Sequence, residues 1–456
     1  MARTDSIYAR LPRALQNLAV TGFGAYWAWQ RFGPGYRDDV AAFRRRDHWT
    51  AAQWASWQHE QLRSLLTDAV ERVPAYRDVF DRSQRAAALA GRLGELPLLE
   101  KGPLREDPTR FLDPDDEPRR PLVFHTSGSS GTPVATYWTV GELRRSMALR
   151  EVRSAGWAGV SFRQPRATFS GRMVEPDPDS TGPFHRFNFV ERQVYLSPFH
   201  LRPDTATSYA DALRRHHTVW ATGYAVSYGL LARFLLDAGA EPLALKAVIT
   251  TSEKLTAETR HLVRQAFGCR AYEEYSTVEN ALFASECEAG SLHVSPDAGV
   301  VEILRPDGSP TDPGEIGEVV ATSFLRHYQP LIRFRLGDLA SWSDEPCGCG
   351  RAISVLHEVV GRVEDVVTGP DGRQMVRFHG VFVGLDRVVE GQVVQRTPHD
   401  YLVRVVADQL EPADEQVIVD RMVQRLGSDV SVTVEVVPAI ERNAAGKFRA
   451  VVSELP

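Results

Sequence analysis

The chain has 456 residues, of which 43% are hydrophobic, so it can bury a large core and form two or three domains. Its 53 basic and 59 acidic side chains leave a net charge of −6, which excludes the strongly basic surface that nucleic-acid binding requires. Four cysteines in so long a chain exclude a disulfide scaffold, and we expect a cytoplasmic protein.

The apolar segment at the amino terminus lacks the small-residue cleavage site of a secretory signal. Gly22 and Gly24, together with two nearby amide side chains, predict a break well short of a membrane-spanning helix. The plain expectation is an amphipathic helix that packs on the body of the protein. A peripheral contact with a membrane through Trp27 and Trp29 stays open as an alternative.

Residues 1–100 are predicted to be mainly helical, since apolar residues recur at helical spacing in TAAQWASWQHEQLRSLLTDAVERVPAYRDVF, which Pro74 interrupts. From residue 121 to about 350, short β-branched runs alternate with helical segments. ALKAVITTSEKL predicts a buried strand, TAETRHLVRQAF the helix after it, and GEVVATSF another strand. This alternation predicts an α/β sheet.

The pattern changes near Gly361. GRVEDVVTGPDGR predicts a strand and a hairpin turn, and the segments VEGQVVQRT, DYLVRVVA, ADEQVIVDRMVQRLG and VSVTVEVVPAI follow. Three strands and a helix in this order predict a compact α+β unit. We therefore predict a large N-terminal α/β domain over residues 1–360 and a small C-terminal domain over residues 361–456.

One loop between two β-prone segments consists almost entirely of Ser, Thr and Gly, in FHTSGSSGTPVATYW. It is not a Walker P-loop, because Gly131 is followed by Thr132 and Pro133 with no lysine nearby. Gly128 and Gly131 permit positive φ, so the backbone N–H groups can form a nest for a polyphosphate. An ordinary surface turn explains the same composition, so the loop by itself does not decide between the two.

Three cysteines and a histidine form a candidate metal site. Cys347 and Cys349 make a Cys-x-Cys motif, and Cys287 and His293 lie upstream in ECEAGSLHV. Three thiolates and an imidazole are a closed tetrahedral set for zinc with no position left for a reactive water, so the predicted role is structural. Unrelated free cysteines are the alternative, and His357 is an alternative fourth ligand.

Five elements recur in the order and approximate spacing of a known family, namely SSGTP, YSTVE, LIRFRLGDL, GRVED and NAAGKFR. From about residue 60 to the C terminus the chain resembles the adenylate-forming superfamily of acyl-CoA synthetases, luciferases and peptide-synthetase adenylation domains. CGCGR followed by GRVED is similar to the phenylacetate–CoA ligase branch and its relatives among capsule-biosynthesis proteins. The resemblance implies the adenylate-forming fold, with a small C-terminal domain that moves as a lid.

The resemblance also implies a nucleotide site assembled from several segments. The Ser/Thr/Gly loop would close over the ATP phosphates, Tyr275 would stack on adenine, and Asp338 would accept hydrogen bonds from both ribose hydroxyls. The implied nucleotide-binding residues are Thr126, Ser127, Gly128, Ser129, Ser130, Gly131, Thr132, Ser252, Glu253, Tyr275, Ser276, Thr277, Asp338 and Arg362.

Two residues carry the catalysis that the resemblance implies. Glu279 would hold Mg²⁺, which prefers hard oxygen ligands. Lys447, on a Gly-containing loop, would bridge the substrate carboxylate and the α-phosphate as charge develops in the transition state. One more surface lysine is the alternative for Lys447. Ser276 and Val278 depart from the family pattern, which has a glycine and a hydroxyl residue at these positions.

The implied activity is that of an AMP-forming ligase. It would use ATP and Mg²⁺ to convert a small carboxylic acid into an acyl-adenylate and then transfer the acyl group to a thiol, with CoA as the expected acceptor. An amine or a carrier protein stays open as the acceptor, because no Gly-rich turn follows GRVED. Tyr224, Tyr228 and Phe283 are expected to line the acid pocket. The alternative from a different class is a scaffold that binds adenylate without turnover.

Overall fold

The computed structural model describes residues 8, 10–125, 134–170, 174–177, 179–359, 367–372, 374–375, 379–382, 384–385, 387–388, 390–407, 409–438, 440 and 451–455. In this part of the chain the α-helices are α1 (Arg13–Phe32), α2 (Tyr36–Arg46), α3 (Ala51–Arg72), α4 (Pro74–Arg77), α5 (Arg82–Leu89), α6 (Lys101–Glu106), α7 (Val140–Arg150), α8 (Ala206–Arg215), α9 (Ala225–Asp237), α10 (Ala257–Phe267), α11 (His379–Phe382) and α12 (Pro412–Leu426). Short 3₁₀ helices span Leu93–Glu95, Pro108–Phe111, Pro114–Asp116 and Pro198–His200, and a π-helical turn, Glu151–Ala155, continues α7.

The strands of the described residues are β1 (Leu122–His125), β2 (Ala135–Trp138), β3 (Arg166–Phe169), β4 (His185–Asn188), β5 (Gln193–Leu196), β6 (Trp220–Tyr224), β7 (Ala247–Thr251), β8 (Arg270–Ser276), β9 (Phe283–Glu286), β10 (Leu292–Val294), β11 (Gly299–Leu304), β12 (Gly317–Ser323), β13 (Phe334–Trp342), β14 (Val355–Val359), β15 (Val367–Thr368), β16 (Gln374–Met375), β17 (Glu390–Gln395), β18 (Asp400–Val406), β19 (Ser431–Val436) and β20 (Val451–Ser453). The predicted strands at β7, β12 and β17–β19 and the predicted helices at α3, α10 and α12 are all present.

A sheet of twelve described strands, in the order β11-β12-β13-β14-β10-β9-β8-β7-β6-β3-β5-β4, forms the centre of the large domain. Strands β5, β3, β6, β7 and β8 are mutually parallel, and the other neighbours pair antiparallel. The parallel strands carry continuous apolar runs because helices cover them on both faces, as in Ala247–Ile249 of β7. Their carboxyl ends meet at one edge of the sheet, where ligands of α/β proteins bind.

Helices from the first hundred residues cover the antiparallel half of the sheet. Leu65 and Leu66 of α3 pack with Ile332 and Phe334 in one core. Helix α3 begins with a capping box in which the Thr50 side chain accepts from the backbone of Gln53, and it ends just before Pro74, as predicted. The amino-terminal hundred residues are thus mainly helical.

A second, smaller α+β unit follows at the C terminus. Its sheet has the order β19-β18-β17-β20, and α12 packs on it through Ile418 and Met422. Phe199 of the large domain joins this core, and Arg202 pairs with Asp371 at 3.7 Å across the same boundary. The fold is therefore mixed α/β with a large sheet and a smaller C-terminal domain. The boundary at residues 360/361 stays a prediction, because residues 360–366 lie outside the described part of the chain.

Helix α1 runs without interruption through Gly22 and Gly24, so the predicted break at these glycines is wrong. A glycine inside a helix costs only about 0.5–1 kcal/mol relative to alanine, which packing can offset. At Gly24 the packing requires glycine, because a Cβ atom there would lie 2.0 Å from Nδ2 of Asn188 on β4. Among the described residues, no helix is both long and apolar enough to cross a membrane.

Candidate functional site

Strands β1 and β2 pair antiparallel and bring the two ends of the Ser/Thr/Gly loop together, with His125 opposite Ala135. The loop itself, Thr126–Thr132, lies outside the described residues, and so do Arg362 and Lys447. Their roles in binding nucleotide and in catalysis therefore stay predictions. The hairpin nevertheless fixes where the loop leaves and re-enters the body of the large domain.

Tyr275 and Asp338, assigned from the sequence to adenine and ribose, lie next to each other. Tyr275 lies near the carboxyl end of β8 and donates a hydrogen bond from its hydroxyl to Oδ2 of Asp338 on β13, at 2.9 Å. Gly337 precedes Asp338 with φ of +75°, a conformation that glycine adopts without strain. The sequence separates the two residues by 63 positions, so the sheet is what pairs them.

The segment TSEKL, residues 251–255, begins beside Tyr275. Strand β7 pairs parallel with β8, and Thr251 lies opposite Glu274. Ser252 and Glu253 follow at the same carboxyl edge, and Ser252 has φ of +74°. Ser252 and Glu253 thus follow β7 at the carboxyl edge of the sheet, where β8 carries Tyr275, and their part in nucleotide binding stays a prediction.

The turn after β8 holds Glu279 in place through its backbone. The Asn280 N–H donates to the carbonyl of Thr277 at 3.0 Å, and the Ser323 hydroxyl donates to the carbonyl of Asn280 at 2.7 Å. Asn280 has φ of +54°, in the left-handed region that Asn tolerates better than most residues. Glu279 is only 6% exposed, so its carboxylate lies at a protected position rather than on an open surface.

Arg326 is a residue of this site that the sequence did not reveal. Its fully buried guanidinium donates from Nη1 to the carbonyl of Glu279 at 2.9 Å and from Nη2 to the carbonyl of Tyr137 on β2. It also lies 4.4 Å from the ring centroid of Trp138, and burial lowers its pKa to about 10. Arg326 therefore ties the Glu279 turn to the strand that leaves the Ser/Thr/Gly loop.

Glu142 supports the same region from α7. One carboxylate oxygen accepts from the Thr139 N–H at 2.7 Å, and the other accepts from the N–H groups of His327 and Tyr328 at 2.7 and 2.8 Å. The T-x-x-E pattern at Thr139 indicates a capping box from sequence alone. It does not indicate that the same glutamate would fix the segment carrying Arg326.

Ser276, which stands where the family pattern has glycine, accepts a hydrogen bond from Arg150. Arg150 donates from Nη2 to the Ser276 hydroxyl at 3.0 Å and forms an ion pair with the buried Glu274. Its guanidinium also lies 5.2 Å from the ring centroid of Phe283. The hydroxyl that replaces the family glycine is thus held by Arg150, whereas Val278 is 41% exposed.

Two of the three residues expected to line an acid pocket are core residues. Tyr228 is fully buried, and its hydroxyl donates to the carbonyl of Thr222 at 2.9 Å. Phe283 is 1% exposed and packs in a core with Tyr36 and other side chains of α2 and α7. Tyr224 is 9% exposed at the carboxyl end of β6. Neither Tyr228 nor Phe283 presents its ring to solvent.

The predicted metal ligands converge at the ends of two neighbouring hairpins. Cys287 and His293 lie in the β9–β10 hairpin, and Cys347 and Cys349 lie in the loop between β13 and β14. The four ligand atoms all lie within 4.8 Å of one another, with Cys287 Sγ 3.6 Å from Cys347 Sγ and Cys349 Sγ 3.4 Å from His293 Nε2. His357, the alternative ligand, lies on β14 with an exposed side chain and outside the cluster.

The geometry suits a tetrahedral metal ion. A tetrahedral centre with metal–sulfur bonds of about 2.3 Å has sulfur–sulfur edges of about 3.8 Å, close to the separation of Cys287 and Cys347. Nδ1 of His293 lies 3.0 Å from the carbonyl of Ile353, which leaves Nε2 directed at the thiols. Burial raises the pKa of Cys347, but hydrogen bonds from Ser291 and Cys349 outweigh it and lower that pKa to about 6. Burial raises the pKa of Cys287 to about 11.

Comparisons with known proteins identify relatives of the chain. The family described as CapK C-terminal domain matches residues 368–454. Protein CapK of Staphylococcus aureus is 22% identical over 465 residues, which cover 98% of this chain and 99% of that one. The phenylacetate-coenzyme A ligase of Thermus thermophilus is 25% identical over 340 residues, or 68% of this chain and 70% of that one. The chain is a homologue of CapK and of the phenylacetate–CoA ligases.

Solved structures place this homologue of CapK in the adenylate-forming fold. A 2-hydroxyisobutyryl-CoA ligase, solved with 2-HIB-AMP and CoA in the thioesterification state, superposes with a TM-score of 0.57 at 19% identity, over 90% of this chain and 92% of that one. The same ligase in the postadenylation state superposes with a TM-score of 0.53 at 20% identity. The chain therefore has a fold similar to that of this adenylate-forming ligase.

Proposed function

We propose that the protein activates a small carboxylic acid with ATP, releases pyrophosphate, and transfers the acyl group from the adenylate to the thiol of CoA. The observation that carries this proposal is the meeting of three distant segments at one sheet edge. Tyr275 contacts Asp338, and Arg326 ties the Glu279 turn to the strand that follows the Ser/Thr/Gly loop. Phenylacetate-coenzyme A ligases from three bacteria are relatives of the chain, which supports CoA as acceptor.

In this proposal Tyr275 and Asp338 bind the nucleoside. The Tyr275 ring stacks on adenine while its hydroxyl orients Asp338 toward the ribose hydroxyls, for which a carboxylate is a suitable double acceptor. Ser252, Glu253, Ser276 and Thr277 border the base and phosphate. The loop Thr126–Thr132 would wrap the phosphates with its backbone N–H groups, and Arg362 would bind beside the ribose.

The first chemical step forms a mixed anhydride. A carboxylate oxygen of the acid attacks the α-phosphorus, the bond to pyrophosphate breaks, and pyrophosphate leaves. Negative charge builds on the phosphate oxygens in the transition state, and the Lys447 ammonium stabilises it. Glu279 is the residue that would hold Mg²⁺, whose charge neutralises the phosphates. The burial of Glu279 beside the Arg326-supported turn keeps that carboxylate fixed.

The second step needs a different arrangement of the small domain. The CoA thiolate attacks the acyl carbon, and AMP leaves with the bonding electrons. The described residues of the two domains meet through Phe199, the Arg202–Asp371 pair and a 3.4 Å hydrogen bond from Gln424 to the carbonyl of Pro176. A lid that rotates between the two steps would exclude water from the adenylate.

The Cys287, His293, Cys347 and Cys349 cluster is proposed to hold a structural zinc ion. All four positions of a tetrahedral site come from the protein, so no position is left for water or substrate. The ion would join the β9–β10 hairpin to the loop that precedes β14. It would thus stabilise the part of the sheet next to β8, which carries Tyr275.

The test is ATP–pyrophosphate exchange with a panel of aliphatic, hydroxylated and aromatic acids, followed by HPLC–MS with CoA or amines added. The wild type should exchange label with at least one acid and form a thioester with CoA. Lys447→Ala should abolish exchange while nucleotide binding persists, whereas Lys246→Ala, at an exposed lysine that precedes β7 and is not among the implied site residues, should not change it. An amide product would favour the amine alternative. Nucleotide binding without exchange on any acid would favour the scaffold.

A further inference from the structure

Helix α1 buries polar side chains and exposes apolar ones, the reverse of an ordinary surface helix. From Ala14 to Gln30 its sequence contains no charged residue. An ordinary surface helix buries its apolar stripe and exposes its polar side. In α1 the fully buried residues are Gln16, Gly24 and Gln30, two of which carry amides, whereas Val20, Trp27 and Ala28 are only half-buried.

Hydrogen bonds connect the inner face of α1 to the edge strand β4. Gln16 Oε1 accepts from Nε of Arg186 at 2.7 Å, and Asn17 Oδ1 accepts from the backbone N–H of Phe187 at 3.1 Å. The Thr21 hydroxyl lies 3.4 Å from the carbonyl of Phe187. The helix thereby covers an unpaired sheet edge, and its polar side chains serve that purpose.

The outer face of α1 is apolar and exposed. Of the thirteen large apolar side chains that are exposed in the described part of the chain, five lie on this helix, and Leu18 and Trp29 are 66% and 61% exposed. Two more lie on the adjoining β4–β5 turn, where the Phe189 N–H lies 3.4 Å from the Thr21 hydroxyl. We name these seven side chains the outer apolar face: Leu15, Leu18, Phe23, Tyr26, Trp29, Phe189 and Val190. Seven of the thirteen exposed large apolar side chains thus lie on α1 and the adjoining turn, and such clustering marks an interaction surface.

Arginines flank the outer apolar face at both ends of α1. Arg13 is exposed at the amino end, and Arg31 follows the last turn's apolar residues at the carboxyl end. Arg144 lies 5.3 Å from the Trp29 ring centroid. Glu191, 7% exposed, pairs with both Arg31 and Arg166. Because two guanidinium groups share this one carboxylate, the arginines that flank the outer apolar face keep a net positive charge.

The charge pattern disfavours a second copy of the chain as the occupant. A two-fold interface places the same surface against itself. In an antiparallel pair of α1 helices, Arg13 would face Arg31 and Arg144 of the other copy, and in a parallel pair each arginine would face its own counterpart. Both arrangements bring like charges together, whereas a surface of anionic headgroups neutralises both ends at once.

We propose that the outer apolar face of α1 lies in the interface of an anionic lipid bilayer. A 20-residue helix is about 30 Å long and can lie flat in the headgroup region with Leu and Phe below it, while Tyr and Trp occupy the level they prefer in membranes. The arginines then lie beside lipid phosphates. Trp27 is 5.9 Å from Phe124 of β1, so the hairpin that carries the Ser/Thr/Gly loop lies beside the bound surface.

Vesicle flotation with the full chain tests the proposal. The wild type should float with vesicles that contain phosphatidylglycerol and bind at least about tenfold less to vesicles of phosphatidylcholine alone. The reason is that each arginine flanking the outer apolar face adds favourable electrostatic free energy near an anionic surface. Leu18→Glu and Trp29→Glu should each weaken flotation by about tenfold or more. Val79→Glu is the matched control, since Val79 is equally exposed at 62% but remote in sequence from α1, and it should float like the wild type.

Folding and association are measured on the same proteins. Circular dichroism melting should show unchanged stability for the three variants, because all three side chains already lie in solvent. Failure of the wild type to float with either vesicle would overturn the proposal. A wild-type dimer in sedimentation that Leu18→Glu dissociates, without flotation, would overturn it in favour of an interface between copies. Adenylation activity is a separate readout, since none of these side chains belongs to the nucleotide site.

Discussion

Removing one hydroxyl, by Tyr275→Phe, tests the organisation of the proposed nucleotide site. The substitution keeps the aromatic ring and deletes the donor that contacts Asp338 at 2.9 Å. The ring can still stack on a base. Any loss of affinity then reports how far the hydroxyl orients the Asp338 carboxylate.

The expected size follows from the burial of the pair. A hydrogen bond to a charged group contributes about 1.5–3 kcal/mol when buried. Both side chains are only partly buried, so we expect about 1 kcal/mol, which is roughly a fivefold increase in the Kd for AMP. Asp338→Ala removes the acceptor of both ribose hydroxyls and should raise the Kd by about a hundredfold.

Isothermal titration calorimetry with AMP measures these effects without knowledge of the acid. A double-mutant cycle isolates the pair: in the Asp338→Ala background, Tyr275→Phe should cost little further, which corresponds to a coupling of about 1 kcal/mol. Tyr272→Phe is the control on the same strand. Tyr272 lies three residues from Tyr275, so its ring points to the opposite face of β8.

Two results would refute the reasoning. If Tyr275→Phe and Tyr272→Phe change AMP affinity equally, the Tyr275 hydroxyl has no specific role. If the effects of Tyr275→Phe and Asp338→Ala are additive, the two side chains bind nucleotide independently. Thermal melts of each variant separate both outcomes from a loss of folding.

Three further predictions follow from other parts of the molecule. Elemental analysis of the wild type should give about one zinc ion per chain, and Cys349→Ser should lose most of it and melt at a lower temperature. A metal-free wild type that resists chelators would contradict this. Gly223→Ala should lower the free energy of unfolding by more than about 3 kcal/mol, because the new Cβ would lie 1.9 Å from the carbonyl oxygen of Phe169 and the residue has φ of +131°. The control is Gly102→Ala, which should be nearly neutral because no atom lies within 4 Å of its new Cβ. Burial, with nearby positive groups, lowers the pKa of His185 to about 4, so between pH 6.5 and 4 the unfolded chain takes up a proton that the native chain does not, and stability falls. His185→Asn should reduce that fall by about 1–3 kcal/mol in urea titrations at pH 7 and 4.5, and an identical pH dependence in both proteins would count against the assignment.

Local elements were predictable because their signals are local. The 3.6-residue spacing of apolar positions predicted α12, and β-branched runs predicted β7 and β12. The candidate metal ligands followed from residue type, since few side chains bind zinc. The conserved order of short motifs in a related family supplied the nucleotide residues, and composition alone would not have done so.

Arg326 and α1 show where that reasoning ends. Arg326 has no motif around it, and its contact with Tyr137 spans 189 positions. The predicted break in α1 was wrong because Gly24 lets the helix pack closely against Asn188 of β4. That contact joins distant parts of the chain, so the sequence pattern does not show it. The sequence predicted an amphipathic helix but not which of its faces packs on the protein. That orientation depends on the contacts with β4, which place the apolar face of α1 outward.

By itself, the amino-acid sequence determined the order of helices and strands, the chemical groups available for nucleotide and metal binding, and the change to a small α+β unit near the C terminus. These properties depend on side-chain type and on spacing over a few residues. Only the tertiary structure decided that Tyr275 reaches Asp338, that Arg326 joins the Glu279 turn to β2, and that α1 buries two amide side chains. Each of those contacts joins groups far apart in the chain, and the packing of the whole sheet sets the distances between them.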